Sequence, residues 1–182
     1  MVNTYKLRLT GLQQDILNIF FLHPEQIFNG RTLSRKLNVS QPAISKAIKN
    51  LIKENLIVVD KDKETNRLSI KLNRDNKKIF GMKRVENLKL VYESGLSEFL
   101  EEKFPGCTII LFGSYSRGED ITESDIDIAI VGTKEKLMNL VKFEKILERE
   151  IILNFYSSFN AIHKNLKDSI LNGILLSGSV DL

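Results

Sequence analysis

Apolar residues along this chain change their spacing several times, and those changes mark out its elements. Leu12, Ile16, Ile19 and Phe20 fall on one helical face, with Thr10 placed to cap the helix and His23-Pro24 to end it. Leu33 and Leu37, four apart in "NGRTLSRKLNV", predict a short second helix. "SQPAISKAIKNLIKEN" predicts a third, with Ser40 as its cap and Pro42 in its first turn. Ile44, Ile48 and Leu51 form its buried stripe, and Ser45, Lys46, Lys49 and Lys53 take the opposite face. Two apolar, β-branched runs flank a charged turn in "LIVVDKDKETNRLSIKL", which predicts a hairpin.

Helical spacing returns with Val85, Leu88, Tyr92, Leu96 and Phe99, stepping by 3, 4, 4 and 3. One long amphipathic helix is expected there, weakened at Gly95 by about 1 kcal/mol relative to alanine and ended by Pro105-Gly106. Its stripe either covers the module that follows or forms a dimer seam. From Cys107 the period shortens. "CTIILFGS" reads as a buried strand and "DIDIAIV" as a second, with Ile126, Ile128 and Ile130 turned to a core. A helix with Leu137, Leu140, Val141, Phe143 and Leu147 on its apolar side comes next, then a strand in "EREIILNFYSSF". The tail gives one more helix and strand, joined by the Asn172-Gly173 turn. His163, beside Lys164, reads as a surface histidine of that helix.

Composition alters this picture in one respect. The net charge of +4 is uneven: residues 1–72 hold 12 Lys/Arg against 6 Asp/Glu, and residues 73–182 hold 15 against 17. That asymmetry predicts two modules with different partners, the basic one facing a polyanion. A single cysteine, Cys107, excludes an internal disulfide and fits a reducing cytoplasm. With two histidines beside it, a zinc site is not expected. No apolar run reaches the roughly 18–20 residues that span a bilayer, so no membrane partner is expected.

The order helix, short helix, helix, hairpin, carried by "RTLSRKLNVSQPAISKAIKNLIKENLIVV", resembles winged helix-turn-helix transcriptional regulators. The resemblance implies a double-stranded DNA partner and, by analogy with such regulators, a homodimer. The third helix would enter the major groove, with Ser45 in its first turns and Lys46, Lys49 and Lys53 near phosphates. Lys61, Lys63 and Arg67 of the wing would reach the flanking backbone. Two plainer readings stay open: a solvated lysine face, or a winged helix that contacts protein.

The stretch "LFGSYSRGEDITESDIDIAIV" raises a different chemistry. Period-two alternation puts Asp125 and Asp127 on one face, about 7 Å apart along the strand. Two neighbouring carboxylates repel unless a cation neutralises them. Oxygen ligands of this kind favour Mg2+ or Mn2+ shared with substrate phosphates. Gly-Ser, a loop of about ten residues, then Asp-x-Asp resembles the signature of polymerase-beta-type nucleotidyltransferases, in their minimal branch. The resemblance implies that Gly113 and Ser114 bind the triphosphate of an NTP. Asp125 and Asp127 would be the metal-holding catalytic residues. Arg117 either touches phosphate or pairs with Glu119. A third acid is expected from the next strand, where the polar residue is Asn154. Glu150, about 13 Å upstream on the same face, is the alternative.

The expected fold is α+β in two domains: a winged helix over 1–72, a connecting helix over 73–104, and a small mixed sheet flanked by helices over 105–182. Two functions follow. One is a DNA-associated nucleotidyltransferase that moves NMP from an NTP to an acceptor hydroxyl on protein or RNA. The other is a transcriptional regulator whose second domain binds nucleotide or a partner without turnover.

Overall fold

A computed structural model describes residues 9–61 and 68–180. The chain divides into two compact units, residues 1–78 and 79–182. In the first, α1 (Gly11–Leu22), α2 (Gly30–Leu37) and α3 (Gln41–Lys53) precede an antiparallel pair, β1 (Ile57–Lys61) and β2 (Leu68–Leu72). Thr10 caps α1 as expected, and Gln13 closes the capping box by accepting the Thr10 N–H at 2.8 Å. Asn29 caps α2, accepting from the Thr32 N–H at 2.8 Å, and Ser40 caps α3. Asn38 ends α2 in the left-handed region, at φ 53°, a conformation that asparagine tolerates better than most residues. That places the turn between α2 and α3. Phe28 adds a short bridge to Ile70 of β2, sharing both backbone hydrogen bonds at 2.7 and 2.9 Å.

The core of this unit is Ile16, Leu17, Phe20, Phe21, Leu33, Ile44, Ile48, Leu51, Leu56 and Ile70, all buried. The α3 stripe matches its periodicity. The α1 face is turned from the expected one: Leu17, Phe21 and the capping Gln13 are buried, while Leu12 and Ile19 are half-buried.

The second unit is a four-stranded mixed sheet in the order β5-β4-β3-β6. Strands β3 (Thr108–Phe112) and β4 (Ile126–Val131) run antiparallel, β5 (Ile151–Tyr156) runs parallel to β4, and β6 (Ile174–Ser177) pairs antiparallel with β3. One face carries Ile109, Leu111, Ile126, Ile128, Ile130 and Ile151. It packs on Val91 of α4 (Lys77–Glu93), Leu96 and Leu100 of α5 (Leu96–Lys103), and Phe143 and Leu147 of α7 (Val141–Leu147). The other face packs Ile110, Phe112, Ala129 and Val131 on Phe159 and Ile162 and on Ile170 of α8 (Lys164–Leu171). Between β3 and β4 lies the short helix α6 (Gly113–Arg117).

Three sequence expectations fail here, one of them in part. The single long helix is two, broken at Gly95, whose φ of 76° suits a residue without Cβ. The expected stripe holds only in part: Leu88, Leu96 and Phe99 pack on the core of the sheet, but Val85 is 68% and Tyr92 48% exposed, whereas Ile79, Lys83, Glu86, Asn87 and Val91 are buried. The buried face of α4 is largely polar, so apolar spacing picked out only part of it. The helix expected from Leu137 likewise starts only at Val141, and Leu137 is 96% exposed.

Candidate functional site

The site forms where β3 ends and β4 begins. Leu111 and Phe112 carry the chain into Gly113, whose φ of 76° turns it abruptly into α6. Phe112 is register-paired with Asp127, so the bend and the second aspartate lie side by side. A Cβ built at Gly113 would run into Asp127 Oδ2, with Cγ at 3.2 Å. The glycine is thus required both for its backbone and for the carboxylate that leans over it. Ser116 steadies the turn, its hydroxyl donating to the Gly113 carbonyl at 2.9 Å.

Asp127 is half-buried and Asp125, just before β4, is exposed. Burial, and then the charge of Asp125, push the Asp127 carboxyl above its ordinary range. Neither acid has a basic partner among the ion pairs of the described residues. Such a pair fits a hard divalent cation that would offset the repulsion. No set of three His, Cys, Asp or Glu side chains that could hold a metal exists among the described residues. Arg117 pairs with Glu119, Nε to Oε2 at 2.7 Å, both side chains about half exposed.

The register of β5 locates the residues considered for the third acid. Register pairs Asp127 with Ile152 and Ala129 with Asn154. Asn154 therefore lies two positions further along the sheet, beside a small apolar residue, and Ile152 adjoins the aspartate. Glu150 immediately precedes β5, is exposed, and its carbonyl accepts the Ile126 N–H at 2.8 Å, which sets it level with Asp125.

Beneath the bend lies a charged network that the sequence did not announce. Asp120 is 1% exposed and pairs with Lys83 Nζ of α4, itself 2% exposed. Arg149 Nη2 stands 3.7 Å from the same Asp120 oxygen. Asn87 Nδ2 donates to Asp120 Oδ1 at 2.8 Å and to the Tyr115 carbonyl of α6 at 2.9 Å. Gly118, at φ 72°, lies against the α4 backbone, where an added Cβ would stand 2.6 Å from Arg84 N. Burial, and then the Asp120 charge, raise the Tyr115 hydroxyl well above its usual value.

In the first unit, Ser45, Lys46, Lys49 and Lys53 are all exposed on α3, opposite buried Ile44, Ala47, Ile48 and Leu51. Lys61 is exposed at the end of β1. Lys63 and Arg67 lie outside the described residues. No helix among the described residues is long and apolar enough to cross a membrane.

Comparison with known proteins divides along the same line. Residues 93–176 match the family described as nucleotidyltransferase domain, and residues 12–65 match the HTH domain family. The transcriptional regulator AdcR of Streptococcus pneumoniae is 40% identical over 65 residues, covering 36% of this chain and 42% of that one. This chain therefore spans under half the length of that regulator. The putative protein adenylyltransferase MJ0435 of Methanocaldococcus jannaschii is 42% identical over 67 residues, covering 34% of this chain and 69% of that one. Among solved structures, the adhesin competence repressor AdcR of Streptococcus pyogenes gives a TM-score of 0.42 at 25% identity, covering 56% of this chain and 71% of that one. A point mutant of Lactococcus lactis ZitR gives 0.40 at 23% identity, covering 54% and 64%. With its Gly-Ser bend and paired aspartates set against each other, the chain belongs to the nucleotidyltransferase family and carries a helix-turn-helix domain ahead of its nucleotidyltransferase domain.

Proposed function

We propose that this protein binds double-stranded DNA through its helix-turn-helix domain and an NTP, with Mg2+ or Mn2+, through its nucleotidyltransferase domain. The single observation that carries the nucleotide half is the Asp127 carboxylate lying over Gly113. Asp125 and Asp127 would hold the cation, and Gly113 and Ser114 would receive the phosphates. The bound cation would neutralise the acids and the triphosphate together. Arg117 is free to exchange Glu119 for a phosphate, because an exposed ion pair is worth only about 0–1 kcal/mol.

Binding without turnover is the reading this donor set supports best. In-line transfer needs the acceptor hydroxyl prepared by a further negatively charged group. Ile152, beside Asp127, supplies no ligand, and Asn154, two positions along on the same face, brings no negative charge. The protein then acts as a DNA-bound nucleotide sensor. A second reading, NMP transfer to a protein or RNA hydroxyl, is favoured by Glu150 alone, whose position level with Asp125 brings a third carboxylate to the strand ends.

Equilibrium binding of each NTP with Mn2+, beside incubation with α-labelled NTPs and protein or RNA acceptors, separates them. Metal-dependent binding lost in Asp127→Asn, with no label transfer, is the expected result. Transfer abolished by Glu150→Gln would establish the enzyme instead. No NTP binding by the wild type would overturn both.

On the DNA side, support comes from the exposed lysines of α3 and the charge excess of residues 1–72. A homodimer on a two-fold DNA site is part of this proposal.

A further inference from the structure

We infer that Lys83, Asn87 and Asp120 are positioning residues of the nucleotide site: they fix the Gly-Ser bend relative to the paired aspartates without touching the ligand. This rests on the nucleotide reading proposed above. Three segments that build the site meet at Asp120. Lys83 and Asn87 come from α4, Asp120 from the loop that leads to Asp125, and Arg149 from the residue two before β5. Asn87 spans two of them with one amide group, holding the Tyr115 carbonyl of α6 and Asp120 Oδ1 at once. Gly118 lets the loop settle onto the α4 backbone between these contacts.

Stability alone does not account for this arrangement. Burying ions costs several kcal/mol each, and packed apolar residues of similar size often serve as well or better. A charged cluster does something an apolar one cannot: it admits one arrangement of its partners, because any slip leaves a buried charge unpaired. The loop between α6 and β4 has weaker ties besides these, the exposed Arg117–Glu119 pair and the Ile121 N–H to Ser124 Oγ at 2.9 Å. Its path sets where Asp125 stands relative to Ser114, and a cation shared with phosphates requires that spacing.

The charge-balanced double variant Lys83→Met/Asp120→Asn removes one cation and one anion and leaves Asn87 an acceptor. Asn87→Ala removes the double tie with no change of charge. The probes are ATP, GTP, CTP and UTP, each with Mn2+, and the readouts are NTP dissociation constant, melting temperature and DNA affinity. Both variants are expected to bind NTP at least about tenfold more weakly, the usual scale for supporting partners of a metal site. Asn87→Ala should also lower the melting temperature, because two buried acceptors lose their donor, while its DNA affinity, measured well below that temperature, should stay at the wild-type value. Should the double variant fail to fold, Asn87→Ala alone decides. Wild-type NTP affinity in Asn87→Ala, with Asp127→Asn inactive in binding, overturns the positioning role and leaves the nucleotide site standing. Absence of binding by the wild type overturns both.

Discussion

Replacing Ile152 by aspartate tests the reading of the donor set directly. The two Cα positions are register partners on adjacent parallel strands, which stand about 4.8 Å apart. A new carboxylate there meets Asp127 at roughly 5 Å, and at an effective dielectric of 20 the repulsion is about 3 kcal/mol, falling below 1 kcal/mol if water screens it fully. The site is half-buried, so about 1–3 kcal/mol of destabilisation is expected in metal-free buffer. For a unit of this size that lowers the melting temperature by about 5–15 °C. Loss of the half-buried isoleucine contributes about 1 kcal/mol more. Ile152→Asn isolates that last part, since it has the shape without the charge. Melting in EDTA against millimolar MnCl2 is the assay. Manganese should restore most of the repulsive part in Ile152→Asp, a larger gain than in the wild type, and leave Ile152→Asn nearly unmoved. Label transfer from α-labelled NTP should rise in Ile152→Asp alone. If the aspartate and asparagine variants respond to Mn2+ equally, the strand register does not place residue 152 beside the cation, and the case against turnover loses its ground.

Gly113→Ala should abolish NTP binding and destabilise its unit by about 1–2 kcal/mol from the left-handed backbone alone, more if the new methyl displaces Asp127; titration calorimetry and melting check it. Lys46→Ala/Lys49→Ala should weaken duplex binding and lower the slope of log affinity against log salt by about 2, at roughly 0.9 per phosphate contact; an unchanged slope removes α3 from the backbone. Leu51→Ala, at a fully buried position, should cost its unit about 2–5 kcal/mol and lower DNA affinity with it, measured by denaturant melting and duplex titration.

Much of this molecule can be read from spacing, and what escapes does so for definable reasons. The α3 helix was legible because its cap, its proline and its stripe lie within fourteen residues, Ser40 to Lys53. The site strands were legible because Ile126, Ile128 and Ile130 alternate with the acids. The buried face of α4 was not, since Lys83, Glu86 and Asn87 occupy it and the partners of Lys83 and Asn87 lie some thirty residues or more downstream. Nothing local distinguishes a lysine bound for burial from a solvated one. The register of Asn154 escaped for a related reason: it is the one polar residue inside β5 before Tyr156, but pairing is fixed by the Ile126–Glu150 hydrogen bond, a long-range contact. A two-residue difference in where the strand begins its pairing moves the third position from an amide to an aliphatic side chain.

The site as built is costly on its own terms. Gly113 adopts a backbone few residues accept, Asp127 is half-buried beside another acid, and Asp120 is buried with two cations. None of these groups stabilises the unit by being there, so the sheet must hold them. Ile126 and Ile128, fully buried on the opposite face, do so, because they flank Asp127, and Ile126 also follows Asp125, along the strand. The strand thus divides its labour by parity, with apolar residues setting position and acids receiving the charge. A domain kept only as a packing module would have no use for the acid side of that division. Two carboxylates on β4 and none at Ile152 accord with the proposed site for a nucleotide and its cation.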